Sequence, residues 1–364
     1  MRIHNRINSK KEHTMKKIIK KLDSSVKKYL INYSLGLILT QGKKFCTKIA
    51  QTLGLSHDSI YRFLSQTNLL VGLFPKLQVN VANYCSKENP GWLIIDDTTI
   101  SKLFSKVLEG VAWMYNSSLG RSNKGLCLVV IAWSNDLVTI PLGFKWYFRK
   151  NIAQDQYKKK IELAQELIEE FYTKVSFEYF LADGLYSSKA MYHFLCAKGI
   201  KFEMRIASNR KVVYRGINEQ IKKHKFIRLR RNERSRTLSV KINGLNLYLT
   251  IQKRINRNNE YDIVYQISNI NTYAKQHVKF YEQRWQIEVL FRTIKQSFGL
   301  NQCAARSLEK QNLHIYAIFF TYGFVQHQKK NLHLSNSEAA VNNLANLKLN
   351  RARERIVSYC RTFN

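Results

Sequence analysis

The chain has 364 residues, of which 60 are Lys or Arg and 25 are Asp or Glu, giving a formal net charge of +35. A hydrophobic content of 45% with only 3 prolines excludes a basic disordered tail and predicts two or three folded domains. No apolar run is long enough for a membrane span, and the basic N-terminus lacks the apolar core of a secretory signal. Six scattered cysteines without a CxxC motif argue against zinc and against a disulfide framework. The charge predicts a polyanionic partner, most simply nucleic acid.

The positive charge is concentrated in two blocks. Residues 1–50 carry 13 basic and 2 acidic side chains, a net charge of +11, and residues 205–257 carry 16 and 2, a net charge of +14. Residues 91–183 between them carry 11 of each sign. Two basic blocks on one folded chain repel each other unless an anion compensates, which a DNA backbone would do.

Residues 1–88 are predicted to form a helical DNA-binding domain. Within it, residues 43–66 resemble a helix-turn-helix with a small packing residue, a turn glycine, an N-cap and a core residue at the expected spacing: Ala50, Gly54, Ser56 and Ile60. The second helix would present Arg62 to DNA. A plain helical hairpin is the alternative.

From Pro90 onward the sequence predicts alternating strands and helices. Strands are expected at 92–95, 126–133, 139–148, 177–182 and 202–206, and helices at 155–172 and 187–197. This order predicts an α/β fold, a ribonuclease-H-like mixed sheet with helices on both faces. The expected domains are a catalytic domain at 89–206 and 271–300, a basic β-rich insertion at 207–270, and a helical C-terminal region at 301–364.

Two carboxylates, Asp97 and Asp183, are expected just past buried strands. In this topology the first and fourth strands are adjacent, so their ends would bring the two side chains together. Carboxylates that approach each other closely need a cation between them, and hard oxygen ligands suit Mg²⁺. An ordinary turn or cap role is the alternative for each residue.

A third carboxylate lies on a helix predicted at 281–297. On a helical wheel Tyr281, Arg284, Glu288 and Lys295 fall within an arc of about 60°. A separate apolar stripe would face the core: Ile287, Leu290, Phe291, Ile294 and Phe298. The alternative is a solvated face with Arg284–Glu288 ion pairing.

The spacing Tyr281-x2-Arg284-x3-Glu288-x6-Lys295 resembles the signature of the YREK group of DDE transposases, insertion-sequence family four. The two stretches Ile95-Asp96-Asp97-Thr98-Thr99 and Asp183-Gly184-Leu185-Tyr186 are similar to the same group. The resemblance covers about residues 40–300 and includes the β insertion. Strand alternation directs only one of Asp96 and Asp97 at the site, and the Asp-Thr-Thr string favours Asp97.

The resemblance implies a DDE transposase that binds transposon ends and catalyses metal-dependent strand cleavage and strand transfer. Asp97, Asp183 and Glu288 would be catalytic and would bind two Mg²⁺ ions, for which Mn²⁺ could substitute. Phosphates of the transposon end would be bound by the remaining signature residues: Tyr281, Arg284 and Lys295.

The expected partners are double-stranded DNA, as terminal inverted repeats and as target, and a second copy of the chain in a synaptic homodimer. No membrane partner is expected, and the location would be the bacterial cytoplasm at the nucleoid. The alternatives are a metal-dependent nuclease on the same fold that does not join strands, and an inactive, transposase-derived DNA-binding regulator.

Overall fold

The computed structural model describes residues 24–65, 73–87, 89–116, 120–256 and 258–362. The basic stretch at 1–23 and the segment at 66–72, both part of the predicted N-terminal domain, lie outside the described residues.

The N-terminal region is helical, as predicted. Its described helices are α1 Ser24–Leu39, α2 Cys46–Leu53, α3 His57–Phe63 and α4 Leu73–Cys85. Gly54 ends α2 in the left-handed conformation at φ 63°, and the Ser56 side chain caps α3 by accepting a hydrogen bond from Ser59 N at 3.2 Å. Ile60 is buried between them. The turn glycine, cap and core residue therefore have the structures that the sequence predicted.

Eleven strands among the described residues form one mixed sheet. In chain order they are β1 Trp92–Ser101, β2 Ala112–Asn116, β3 Arg121–Ser134, β4 Thr139–Tyr147, β5 Tyr179–Ala182, β6 Phe202–Arg205, β7 Lys211–Tyr214, β8 Ile217–Gln220, β9 Ser235–Ile242, β10 Leu245–Ile255 and β11 Tyr261–Ser268. The spatial order is β2-β3-β1-β5-β6-β11-β10-β9-β7-β8, and β4 pairs with β3. β1 is antiparallel to β3 and parallel to β5, and β6 is parallel to β5. The strands of the insertion continue the core sheet, because β11 pairs with β6.

The remaining described helices pack on this sheet and against the N-terminal region. They are α5 Lys150–Ala153, α6 Lys160–Phe171, α7 Lys189–Ala197, α8 Ala274–Glu282, α9 Trp285–Gln296, α10 Leu308–Asn331, α11 Ser337–Ala345 and α12 Leu349–Thr362. Within the described ranges no helix is both long and apolar enough to cross a membrane.

Helices cover both faces of the sheet, as two neighbouring β4 residues demonstrate. A Cβ on Gly143 would meet the Phe171 ring of α6 at 2.9 Å, so this face is closed by α6. The next residue, Phe144, contacts Tyr316 and Phe319 of α10. Successive strand residues point to opposite faces, so α6 and α10 lie on opposite sides. The predicted fold, a ribonuclease-H-like mixed sheet with helices on both faces, is confirmed.

The long helix α10 also joins the mixed sheet to the N-terminal helices. Most of its length is buried. The hydroxyl of Tyr33 on α1 lies 2.7 Å from His314 Nδ1 on α10, and both side chains are buried. The two regions share a continuous apolar core, so the N-terminal helices are anchored against the mixed sheet.

Four local predictions were wrong. The strand that begins at Trp92 continues through both aspartates to Ser101, so Asp97 lies inside β1 and not past its end. β2 was not predicted, because its large apolar side chains, Trp113 and Tyr115, are exposed and do not form the apolar face of a buried strand. The predicted helix at 155–172 begins at Lys160. The predicted helix at 281–297 is two helices joined by a turn at 283–284.

Candidate active site

β1 carries two adjacent carboxylates with different partners. Asp96 Oδ1 accepts a hydrogen bond from Asp97 N at 2.8 Å, and Asp96 Oδ2 lies 2.7 Å from Arg284 Nη1. Asp97 Oδ2 lies 2.6 Å from Lys160 Nζ, while Asp97 Oδ1 accepts a hydrogen bond from Tyr186 Oη at 3.2 Å. Both side chains are mostly buried, so each carboxylate is held in place by a cation from a different element.

β5 brings a third carboxylate to the same region. The strand ends at Ala182, and Asp183 is the next residue, as predicted. The parallel register pairs Ile95 with Ala182, so Asp96 is the β1 residue level with Asp183. On parallel strands, residues in register point to the same face. The register alone therefore favours Asp96 as the neighbour of Asp183, and the choice of Asp97 stays a prediction.

The fourth carboxylate, Glu288, lies on α9 beyond the turn. Arg284 is the residue before α9, and its Nη2 lies 3.1 Å from Glu288 Oε1. The same guanidinium binds Asp96, so Arg284 bridges two carboxylates from different elements. The Arg284 side chain is 14% exposed and that of Glu288 is 40% exposed, so the ion pair considered from the sequence is present and partly solvated. All five residues of the expected apolar stripe are buried.

The break before α9 separates Tyr281 from the other signature residues. Tyr281 lies in the last turn of α8, and its buried hydroxyl has no hydrogen-bond partner among the described residues. Burial raises the pKa of Tyr281 to about 12, so the phenol stays protonated at neutral pH. A buried hydroxyl without a partner is costly unless a ligand satisfies it. A phosphate oxygen is a suitable acceptor for this donor.

All four carboxylates line one cavity of about 700 Å³. Its wall also contains two lysines, Lys160 and Lys295, and the exposed rings of Tyr115 and Trp285. Burial lowers the pKa of Lys295. Burial also raises the pKa of Asp96 to about 7, and the charge of Asp97 adds to this effect while Arg284 opposes it. The cavity therefore combines a dense set of acids with cations that balance them.

No group of three His, Cys, Asp or Glu side chains in the described part of the chain is arranged to hold a metal ion as it stands. Three of the four carboxylates face a cation instead: Asp96, Asp97 and Glu288. Carboxylate oxygens are nevertheless the ligands that Mg²⁺ and Mn²⁺ prefer. These carboxylates can therefore bind a divalent ion when that ion replaces one of the paired Lys or Arg side chains.

Lys160 is a cavity residue that the sequence reasoning missed. It follows two other lysines, and a run of basic residues before a helix is normally a solvated face. Lys158 and Lys159 are indeed exposed, while Lys160 is directed into the cavity. Its contacts with Asp97, 63 positions earlier, and with the Tyr147 ring distinguish it.

The insertion contains a second charged cavity, here called the arginine cradle, of about 370 Å³. It is lined by Tyr214, Arg215, Lys225, Phe226, Arg228, Arg230 and Arg236. The Arg215 guanidinium lies 4.9 Å from the centroid of the Phe226 ring and 5.6 Å from that of Tyr214. Among the described residues, the acid that contacts a cradle cation is Glu233, 3.8 Å from Arg230. The cradle therefore has a large excess of positive charge.

Helix α3, which was predicted to present Arg62 to DNA, exposes both Arg62 and Asp58. Its Tyr61 hydroxyl accepts a hydrogen bond from Lys310 Nζ at 3.0 Å, and this lysine lies over the ring. One side of α3 therefore faces α10, and the side that carries Arg62 is open.

The mixed sheet, with acidic residues at β1, after β5 and on α9, defines a ribonuclease-H-like enzyme core. Residues 21–225 match the family model described as DDE superfamily endonuclease, and residues 148–324 match the transposase DDE domain. The first match covers more than half of the chain, so the protein belongs to the DDE superfamily endonucleases. It is a DDE transposase, an enzyme whose partner is DNA and whose family typically uses divalent metal ions. No curated protein matches the chain.

Proposed function

We propose that the chain is a YREK-group transposase that binds transposon ends and catalyses metal-dependent strand cleavage and strand transfer. The observation that carries this proposal is the cavity lined by acidic residues of β1 and α9, by Asp183 directly after β5, and by Lys295. A DNA-binding regulator without catalysis needs no such cluster, and its mostly buried aspartates, Asp96 and Asp97, would be costly to retain.

We assign the metal ligands to Asp97, Asp183 and Glu288. A pair of divalent ions held there supplies activation of a water or 3′-hydroxyl and stabilisation of the leaving oxygen in an in-line displacement. Asp97 is preferred to Asp96 because its partner is a single lysine, whereas Asp96 is held by an arginine that also binds Glu288. Lysine is a flexible point charge and exchanges its contacts more easily than a bridging guanidinium.

The cations and the phenol of the signature are assigned to the DNA strand. Lys295 lines the cavity near Glu288 and Asp97 but forms no direct ion pair among the described residues, so its ammonium can bind a phosphate. Tyr281 would donate its unsatisfied hydroxyl proton to a phosphate oxygen. Arg284 would orient Glu288 and contact a phosphate with its remaining donors.

Two further surfaces are assigned to DNA outside the cavity. Arg62 on α3 would contact the terminal repeat, and the arginine cradle would bind the backbone of the same duplex. Two ends held together require two copies of the chain, so we propose a homodimer in the synaptic complex. The reaction would take place at the bacterial nucleoid.

A strand-transfer assay tests this function. Inverted repeats in the DNA that flanks the reading frame supply the substrate, and labelled ends with a free 3′-hydroxyl are incubated with the protein, a target plasmid and Mg²⁺. We expect joined products that disappear when EDTA removes the metal. Hydrolysis without joining would contradict the transposase assignment in favour of a nuclease, and the absence of both reactions would favour a regulator.

A further inference from the structure

Lys160 has no role in the signature, yet the fold directs it into the wall of the catalytic cavity. It is the first residue of α6, a helix fixed to the sheet by its buried residues Leu163, Ala164 and Leu167. Its Nζ lies 2.6 Å from Asp97 Oδ2 and 5.3 Å from the centroid of the Tyr147 ring. The helix and the ring together hold the ammonium in place.

The surrounding lysines show that this position is specific. Lys158, two residues earlier, binds Glu166 on the outer side of α6 and is about half exposed. Lys160 is 25% exposed, and its carboxylate partner is 18% exposed. Removing two charges from water costs free energy that a mere surface pair would not require. A role in the cavity explains why the lysine lies there.

The charges in the cavity indicate what this role is. Asp97 cannot keep its ammonium partner on the same oxygen when a divalent cation binds there. A DNA strand that enters the cavity brings phosphate oxygens, which are good acceptors for a displaced ammonium. Lys295 lines the same cavity, so a strand would meet two lysines from two different helices, α6 and α9.

We propose that Lys160 neutralises Asp97 in the DNA-free enzyme and transfers its ammonium to a phosphate of the DNA strand when Asp97 takes a divalent cation. This inference rests on the proposed function, in which Asp97 is a metal ligand. Lys160 would then be a catalytic residue that binds substrate, and its ion pair with Asp97 would keep the empty site ordered.

Metal binding without DNA tests the first half of the proposal. Lys160→Met preserves most of the side-chain length and removes the competing charge, and Lys158→Met is the matched control outside the cavity. Binding of Mn²⁺ alone, followed by electron paramagnetic resonance, should be about five-fold tighter in Lys160→Met, since a partly exposed ion pair is worth about 1 kcal/mol. A merely structural lysine predicts the opposite sign, because a loosened site binds metal less well. Unchanged or weaker Mn²⁺ binding in a folded Lys160→Met protein would contradict the proposal that a divalent cation replaces Lys160 at Asp97.

Single-turnover cleavage of a saturating end duplex with Mg²⁺ tests the second half. We expect a loss of about 100-fold in Lys160→Met, as for removal of one positioned donor, and rates close to the wild type in Lys158→Met. Lys160→Arg keeps the charge and should recover part of the lost rate. If the wild type cleaves DNA and Lys160→Met cleaves it at the same rate, only the proposed role of Lys160 is contradicted. If the wild type itself does not cleave, the proposed function fails instead.

Discussion

The catalytic cavity and the arginine cradle both contain several cations, but only the first contains acids to match them. Lys160 in the wall of the cavity and Arg284 beside it are bound to the carboxylates at 2.6–3.1 Å. In the cradle, Arg215 lies against aromatic rings, and one contact at 3.8 Å joins Arg230 to an acid. Carboxylates paired with cations suit a site that performs chemistry with bound metal. Cations that mostly lack acidic partners suit a surface that binds a polyanion.

The distance between the two regions follows from the sheet. Six strand steps separate β1 from β7 in the order given above, which corresponds to roughly 25–30 Å at about 4.8 Å per step. A duplex that follows the sheet would reach the cradle about eight base pairs from the scissile phosphate, since DNA rises 3.4 Å per base pair. The cradle would then set the position of the duplex and the cavity would cut it.

The largest expected effect is on the rate of DNA cleavage in the catalytic cavity. Asp97→Asn removes a proposed metal ligand without changing side-chain size, and several kcal/mol of lost charge stabilisation corresponds to a loss of about 10³-fold in cleavage rate. Asp96→Asn should reduce the rate much less, because Arg284 keeps its contact with Glu288. Cleavage of an end duplex with Mg²⁺ measures both. An inactive Asp96→Asn beside an active Asp97→Asn would reverse the assignment.

The second effect concerns the connection between the two regions. Glu203 on β6 and His277 on α8 are fully buried, with Oε2 2.6 Å from Nδ1. This pair ties the helix that carries Tyr281 to the strand that leads into the insertion. His277→Ala should lower the free energy of unfolding by about 1–3 kcal/mol, because it removes a hydrogen-bond partner of a buried carboxyl group. Urea denaturation measures the loss, and a loss below 1 kcal/mol would show that the pair does not hold the junction.

The same pair predicts a pH dependence. Burial raises the pKa of Glu203 from 4.5 to about 7, although His277 opposes the shift. Between these values the unfolded chain has already lost a proton that the folded chain retains, so stability should fall as the pH rises from about 4.5 to about 7. Glu203→Gln should flatten this part of the stability profile. An identical slope in wild type and variant would assign it to other groups.

The third effect is on the affinity of the arginine cradle for DNA. The double variant Lys225→Ala/Arg228→Ala should reduce the slope of log affinity against log salt by about 2, close to 0.9 for each lost phosphate contact. The single-turnover rate at saturating DNA should remain close to that of the wild type. Arg351→Ala, an exposed cation on α12, is the matched control. An unchanged salt dependence would remove the cradle from the DNA path.

The smallest effect concerns end recognition by α3. Arg62→Ala should weaken binding to the terminal repeat by about ten-fold, as expected for loss of one base or phosphate contact. Binding to an unrelated duplex should change less if Arg62 reads bases. Equal weakening on both duplexes would make Arg62 a backbone contact.

The sequence predicted much of the fold because its signals were local. The apolar run before Asp96, the alternating strands and the cap at Ser56 each act within a few residues. It did not predict β2, whose side chains are exposed, or the break at 283–284, which no glycine or proline marks. A helical wheel cannot register that break, because the turn keeps helical backbone angles at Gln283 and Arg284.

The candidate site was predicted less completely than the fold. The residues that resemble the signature could be proposed because their spacing is fixed along the chain, and their roles stay predictions. The ion pairs of Asp97 with Lys160 and of Asp96 with Arg284 join residues that are 63 and 188 positions apart. Such contacts leave no local pattern, so a lysine run at 158–160 looks like a solvated surface until the sheet is folded.

One measurement tests the central claim most directly. Glu288→Gln keeps the size of the α9 side chain and its capacity to accept a hydrogen bond from Arg284, but removes the charge that a metal ion needs. Binding of an end duplex should stay within about three-fold of the wild type, and Mg²⁺-dependent cleavage should fall by about 10³-fold. Cleavage at a wild-type rate by Glu288→Gln would contradict the account, because the acidic cavity would then not be the place where the strand is cut.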